Sequence, residues 1–277
     1  VPRGDGQVPL SLFTDYDGTL AEFAPTPDVV VPEPELIALL SRLASLPSMR
    51  VAVLSGRRLS HVEKLVPVPT ILLAGTYGIE MRTPGGQRVE RVEYSAVRPA
   101  LDRIKPLWAR TIDGRQGFYL EDKGWALAIH ARFASNAESA EVLAVAQEIA
   151  VGTISNAPPF LFRILGGAKF LEIGPREAHK GRSVEYLLER YPWPGALPLF
   201  LGDDDKDEEA FGVVQSRGGV SIVVAETPRP TRADFRLESP QAARAWLQEL
   251  YERFAAPAPA AAATQATGMP SEPGTGG

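Results

Sequence analysis

Short apolar runs alternate along the chain with longer stretches of helical periodicity. Leu10-Ser11-Leu12-Phe13 is followed by a helical pattern from Pro34 to Leu46, and that by Val51-Ala52-Val53-Leu54. Further runs stand at Ile71-Leu72-Leu73-Ala74, Leu197-Pro198-Leu199-Phe200-Leu201 and Val220-Ser221-Ile222-Val223-Val224. Each is short and stops at glycine or a polar cluster, as strands buried on both faces do. Strands alternating with helices predict an α/β fold around a parallel sheet. Such sheets take ligands outside the carboxyl ends of their strands, so the residues just after each run are the place to look for chemistry.

From about Gly86 to Ile173 the rhythm changes. Gly124-Trp125-Ala126-Leu127-Ala128-Ile129-His130 alternates, Ala137 to Ala150 is a helix candidate, and alternation returns near Phe160 to Ile164 and Phe170 to Ile173. This pattern predicts an α+β module of antiparallel type inserted into the first. The expected division is a core of residues 8–97 and 175–254, an inserted domain of residues 98–174 and a tail of residues 255–277. Trp125 and Phe133 are expected in the core of the inserted domain. The tail is Ala, Pro, Gly, Ser and Thr with few large apolar groups, which predicts disorder or a linker. Val1-Pro2-Arg3-Gly4, which lacks a methionine, reads as a protease-site remnant.

Composition narrows the classes. The 277 residues carry 29 Lys+Arg against 34 Asp+Glu, a formal net charge of -5, and no cysteine. Disulfide scaffolds, thiolate metal sites and a cysteine nucleophile are therefore excluded. Mild acidity with both signs interspersed argues against a nucleic-acid binder, which needs a concentrated basic face. No apolar stretch approaches the ~20 residues that span a bilayer. The resulting expectation is a cytoplasmic chain, taken as a monomer.

Four clusters follow the predicted strands. Asp15-Tyr16-Asp17-Gly18-Thr19-Leu20 sets two carboxylates two positions apart before a glycine. A turn at Gly18 brings both into one pocket, where such a pair binds a divalent cation or divides nucleophile and acid/base roles; an Asx turn with solvated aspartates is the alternative. Ser55-Gly56-Arg57 offers a hydroxyl, a close-approaching backbone and a cation to phosphate oxygens, or simply a serine-capped turn. Lys180, opening a helical pattern after His179, reaches a phosphate oxygen or lies on the surface. Gly202-Asp203-Asp204-Asp205-Lys206-Asp207-Glu208-Glu209 is an acidic run that a cation would relieve. Mg²⁺ suits these hard oxygens better than zinc, because the histidines, at 61, 130 and 179, lie far apart. Dipole-favoured acids at a helix start account for some of Asp205, Glu208 and Glu209.

The order of these clusters resembles the haloacid dehalogenase superfamily of aspartate-nucleophile phosphatases. That resemblance implies a Rossmann-like core with a large α/β cap of the C2 type. Within the superfamily the chain is similar to the trehalose-6-phosphate phosphatases. Asp15-Tyr16-Asp17-Gly18-Thr19-Leu20, Leu73-Ala74-Gly75, Glu121-Asp122-Lys123-Gly124, Leu171-Glu172-Ile173, Gly202-Asp203-Asp204 and Asp207-Glu208 carry the likeness. Four places depart from the family pattern. Thr76-Tyr77-Gly78 stands for Glu-His-Gly, Gly174 for an arginine, His179 for an asparagine, and Lys206-Asp207-Glu208 for Thr-Asp-Glu.

The resemblance implies that Asp15 is the nucleophile and that Asp17 protonates the leaving sugar oxygen and then activates water. Mg²⁺ would be held by Asp15, Asp203 and the backbone carbonyl of Asp17. Ser55, Gly56 and Lys180 would hold the transferring oxygens, with Asp204 or Asp207 orienting the lysine and metal waters. Glu121, Lys123 and Glu172 would bind sugar hydroxyls, with Arg57 as a further substrate contact. Trehalose 6-phosphate is the first substrate implied. Another sugar phosphate, of sucrose, glucosylglycerol or mannosylglycerate type, a phosphomutase relative, and a catalytically silent sugar-phosphate-binding module remain as alternatives.

Overall fold

The computed structural model describes residues 8–23, 30–158 and 160–256. The expected protease-site remnant and the expected tail from residue 257 onward lie outside them. The first half of the chain forms β1 (Leu10–Thr14), α1 (Pro34–Ser45), β2 (Met49–Leu54), α2 (Leu59–Leu65), β3 (Leu72–Gly75), β4 (Glu80–Arg82), β5 (Arg88–Glu90), α3 (Tyr94–Ile112), β6 (Tyr119–Asp122) and β7 (Leu127–His130). Then follow α4 (Asn136–Ile154), β8 (Phe162–Gly167), β9 (Phe170–Pro175), α5 (Lys180–Arg190), β10 (Leu197–Gly202), α6 (Glu208–Ser216), β11 (Val220–Val224), β12 (Phe235–Leu237) and α7 (Pro240–Ala255).

The main sheet has eight strands in the order β12-β11-β10-β1-β2-β3-β4-β5. Strands β12 to β3 are parallel, while the hairpin β4–β5 adds an antiparallel edge that strand–helix alternation alone does not foresee. The apolar runs bury both faces, as their composition requires. On one face Leu12, Val51 and Leu201 meet Leu36, Leu40 and Leu43 of α1 and Leu247 of α7. On the other, Phe13, Leu54 and Phe200 meet Val184 of α5 and Phe211 of α6. β1 lies between β10 and β2, so the chain reverses its direction of travel across the sheet there. That arrangement opens a crevice at the carboxyl ends of these strands.

The second sheet, antiparallel, has the order β6-β7-β9-β8. Leu127, Ile129, Leu171 and Ile173 face α3 and α4 in a separate apolar cluster. With period two, Glu121, Ala128, His130, Phe170 and Glu172 fall on the opposite face. Register sets Glu121 opposite Ala128 and Ala128 opposite Glu172, a single cross-strand row. Helix α3 is the element the sequence pattern concealed, because Pro99 and Pro106 lie inside it and proline reads as a breaker. Its Val97, Leu101, Ile104 and Trp108 nevertheless form one buried stripe. Phe133 corrects an expectation: it is 70% exposed rather than part of a core, because the loop after β7 turns it outward; Trp125 is buried, but against Tyr77, Ile79 and Ala178 at the junction of the two sheets and not in the α3–α4 cluster. No described helix is long and apolar enough to cross a membrane.

Trp108 is fully buried and its Nε1 donates to the Ala146 carbonyl at 2.8 Å, joining α3 to α4. Trp108→Ala is expected to cost about 3–5 kcal/mol by denaturant unfolding. A loss below ~1 kcal/mol would show that this cluster relaxes around the cavity instead of depending on the indole.

Candidate active site

Four strand ends and one helix start converge on the crevice. Asp15 follows β1 directly, its N–H bonded to the Leu201 carbonyl at 2.9 Å. The chain then turns at Gly18 (φ +80°), where a Cβ would stand 2.3 Å from Asp203 Oδ2. Glycine is required there both for the backbone angle and for the close approach of the β10 loop. Thr19 Oγ1 donates to Asp203 Oδ1 at 3.0 Å, tying the two loops together.

Lys180 begins α5 and is 2% exposed. Its Nζ lies 2.9 Å from Asp15 Oδ1, 2.6 Å from Asp207 Oδ1 and 4.0 Å from Asp204 Oδ1. Burial opposes its charge, and Asp15 and Asp207 outweigh burial, so the ammonium is held well above the ordinary lysine value. Asp207 Oδ2 also accepts the N–H groups of Asp203 and Asp204, at 3.0 and 3.1 Å. The lysine is therefore a buried part of the site and not a surface residue. His179, where the family pattern has asparagine, still caps the helix: its Nδ1 accepts the Arg182 N–H at 3.3 Å.

Too many carboxylates meet here for one lysine to neutralise. Burial pushes the Asp15 carboxyl well above its usual range, Lys180 opposing and Asp203, Asp204 and Asp17 adding to the rise. Burial, then the charge of Asp207, pushes Asp203 up to about 7. For Asp204 burial is outweighed by Lys180 and Lys206, and the carboxyl falls to about 2. One oxygen each from Asp15, Asp203 and Asp207 lie within 4.8 Å of one another. A divalent cation with a preference for oxygen fits this donor set and its unrelieved negative charge.

Asp17 faces the same crevice, as the pocket reading of the aspartate pair requires. It is gripped by Arg57, whose Nη2 and Nε donate to its two oxygens at 2.6 and 2.7 Å. Arg57 thus holds an acid, and Gly56 and Arg57 line the cavity while Ser55 lies buried behind them. The Ser55 hydroxyl accepts the Arg57 N–H at 3.1 Å, so the capped-turn reading holds for it as well.

Above the crevice the second sheet closes a cavity of about 600 Å³. Lys123 Nζ sits 2.6 Å from Glu172 and 3.9 Å from Glu121, and His130 Nε2 lies 2.9 Å from Glu121. Burial disfavours the Lys123 charge, yet Glu172, Tyr77 and Glu121 hold its pKa above the ordinary value. For Glu121 burial is outweighed by His130 and Lys123, and its carboxyl drops. Residues that the motifs did not assign also line this space: Tyr77, Lys206, His130 and the aromatic rim of Phe23, Tyr119 and Phe133. Tyr77 OH donates to Glu172 at 3.4 Å and Trp125 packs beside Tyr77, joining the two sheets. Arg58 reaches the backbone carbonyl of Asp122, and Arg163 reaches Glu209 at 3.3 Å.

A model of the trehalose-phosphatase family matches residues 13–241. A trehalose-phosphate phosphatase of Mycobacterium avium (strain 104) is 33% identical over 253 residues, covering 88% of this chain and 62% of that protein. One of Mycobacterium marinum is 32% identical over 237 residues, 83% of this chain and 58% of that protein, so the chain spans less than two thirds of these curated relatives. Among solved structures, the C-terminal domain of the C. albicans trehalose-6-phosphate phosphatase shares the fold, with TM-score 0.75 at 21% identity over 90% of this chain and 94% of that one.

Asp207→Ala leaves Lys180 with a single close carboxylate and two N–H groups without their acceptor. It is expected to cost about 3 kcal/mol of stability and to abolish the rise in melting temperature expected of the parent chain when a divalent cation is added. An unchanged melt and an unchanged cation response would show that this buried pair does not organise the site.

Proposed function

The chain belongs to the trehalose-phosphatase family, and we propose that it hydrolyses trehalose 6-phosphate to trehalose and inorganic phosphate through an aspartyl-phosphate. The observation that carries this reading is the buried Asp15–Lys180 pair, 2.9 Å apart at the carboxyl edge of β1, opening into a cavity whose far wall bears Glu121 and Lys123, the lysine backed by Glu172.

In this reading an Asp15 oxygen attacks phosphorus as the bond from phosphorus to the sugar oxygen breaks, and Asp17 gives that oxygen its proton. An alkoxide leaves poorly without one, which is why a second acid is needed beside the nucleophile. Asp17 then takes a proton from the water that attacks the aspartyl-phosphate, releasing phosphate and restoring the Asp15 carboxylate. Arg57 fixes Asp17 for both steps through its two-point grip. Lys180, the Ser55 hydroxyl and the Gly56 backbone hold the transferring oxygens, which is most of what phosphoryl transfer asks of a protein. Asp15, Asp203 and the backbone carbonyl of Asp17 would hold Mg²⁺, with Asp207 already engaged by Lys180 and two N–H groups. Mg²⁺, when bound, supplies positive charge to the phosphoryl oxygens.

Residues 98–174 act as the cap, whose carboxylate–ammonium row reads sugar hydroxyls and keeps bulk water from the phosphoenzyme. Hydrolysis of another sugar phosphate is the second reading, favoured by Tyr77 and Lys206, which depart from the family pattern inside the cavity.

Phosphate release from a panel of sugar phosphates, with Mg²⁺ and with EDTA, tests the reading. Release confined to trehalose 6-phosphate and lost with EDTA is expected; preference for another member moves the substrate. Asp15→Asn should abolish turnover while keeping the fold, and normal turnover in it would end the nucleophile assignment. Lys123→Ala should raise KM for the sugar phosphate by about tenfold while hardly affecting a small aryl phosphate. Equal losses on both esters would show that Lys123 does not read sugar.

A further inference from the structure

Lys206 differs from every other deep cation of the cavity. Arg57 is bonded to Asp17 at 2.6 Å, Lys123 to Glu172 at 2.6 Å, and Lys180 to Asp207 at 2.6 Å with Asp15 at 2.9 Å. The Lys206 ammonium has Asp204 Oδ2 at 3.6 Å, beyond hydrogen-bond reach. Instead it lies over two aromatic rings, 5.3 Å from the centroid of Tyr77 and 4.7 Å from that of Phe170. The rings favour the charge and fix its place while satisfying none of its three donors. A half-buried ammonium so placed presents those donors to whatever fills the cavity.

Its neighbours show which end of the cavity it serves. The Tyr77 ring presses on the turn after β2, where a Cβ on Gly56 would come within 2.8 Å of it. Asp204, whose Oδ2 lies 3.6 Å from the Lys206 ammonium, has its other oxygen 4.0 Å from Lys180. Lys206 therefore shares a wall with Gly56 and Lys180, the groups that hold the transferring oxygens. Lys180 cannot meet a dianion alone, because two carboxylates already offset its single charge.

We propose that Lys206 is a phosphate-binding residue, its ammonium donating to the phosphoryl oxygens of the bound ester and to the inorganic phosphate formed from it. The proposal rests on the reading of the chain as a sugar-phosphate phosphatase. Tyr77 and Phe170 serve it as positioning residues, one from each sheet, so the charge is in place when the second sheet covers the first.

The parent chain, Lys206→Met and Lys206→Arg are compared by calorimetric titration with inorganic phosphate, and by KM and kcat on trehalose 6-phosphate and an aryl phosphate. Lys206→Met should weaken phosphate binding by about tenfold or more and raise KM for both esters in the same proportion, with a smaller change in kcat. Lys206→Arg, which keeps the charge, should stay within a few-fold of the parent. Unchanged phosphate affinity in a folded Lys206→Met, or a KM rise confined to the sugar ester, would overturn the proposal. If the parent turns over no sugar phosphate, the proposed function fails, while the phosphate titration still decides the role of Lys206.

Discussion

An ammonium taken out of water costs several kcal/mol unless carboxylates surround it, and Lys180 is taken out almost completely. Its partners come from places remote in sequence. Asp15 ends β1, Asp207 starts α6 after the β10 loop, and the lysine itself starts α5. Only a sheet in which β10 lies beside β1, with α5 packed across them, brings these groups within bonding distance. The same lysine makes the acidic cluster tolerable, since Asp15, Asp203, Asp204 and Asp207 would otherwise share one buried space without compensation. Asp207 extends the effect by fixing the backbone of the β10 loop. Neutralisation is left incomplete, as the raised Asp15 and Asp203 carboxyls show, and that remainder is what a cation can relieve.

The second sheet repeats the device in a different geometry. Glu121, Ala128 and Glu172 form one cross-strand row, and the small alanine leaves room above it for the Lys123 ammonium. Both walls of the cavity therefore carry charges that are paired with each other across short distances. A ligand with an anionic end and several hydroxyls can exchange into both walls at once, replacing pairs instead of stranding them. An apolar ligand would leave each pair as it is and gain little from the polar walls. The pairing is a selection rule, and it also keeps charges that face each other across the cavity from forcing the sheets apart.

Much of this was legible because it depends on topology and period instead of side-chain detail. Asp15, Asp17 and Asp203 could be placed together from strand-end positions, since a parallel sheet delivers its carboxyl ends to one edge, whereas Lys180, at a helix start, joined them only through the family resemblance. Glu121 and Glu172 were singled out by the family resemblance, and the register of β6, β7 and β9 is what puts them on one face. Helix α3 was concealed by Pro99 and Pro106, whose local signal opposes the helix that its apolar stripe and tertiary packing stabilise. Phe133 was misplaced because an aromatic residue beside an apolar strand reads as core, and a loop's exit direction leaves no periodic trace. Tyr77 and Lys206 could not be read as neighbours at all. They meet only where the turn after β3, the loop after β10 and the second sheet come together.

The departures from the family pattern are physically connected. His179 keeps the cap that an asparagine side chain would give, so the helix start carrying Lys180 is preserved. Gly174 lies on the Glu172 face of β9, where even a Cβ would approach Ala126 Cβ to 3.0 Å, so the second sheet has no room there for the usual arginine without moving β7. A cation appears instead at Lys206, on the main sheet's own loop and beside Asp204. That charge is carried by the main sheet's loop, with one of the two rings beneath it, Phe170, supplied by β9 of the second sheet. Tyr77 completes the exchange: its ring seals the gap above Gly56, and its hydroxyl reaches Glu172. Of these four positions, Tyr77 and Lys206 line the cavity itself, while His179 acts at the start of α5 and Gly174 within the second sheet.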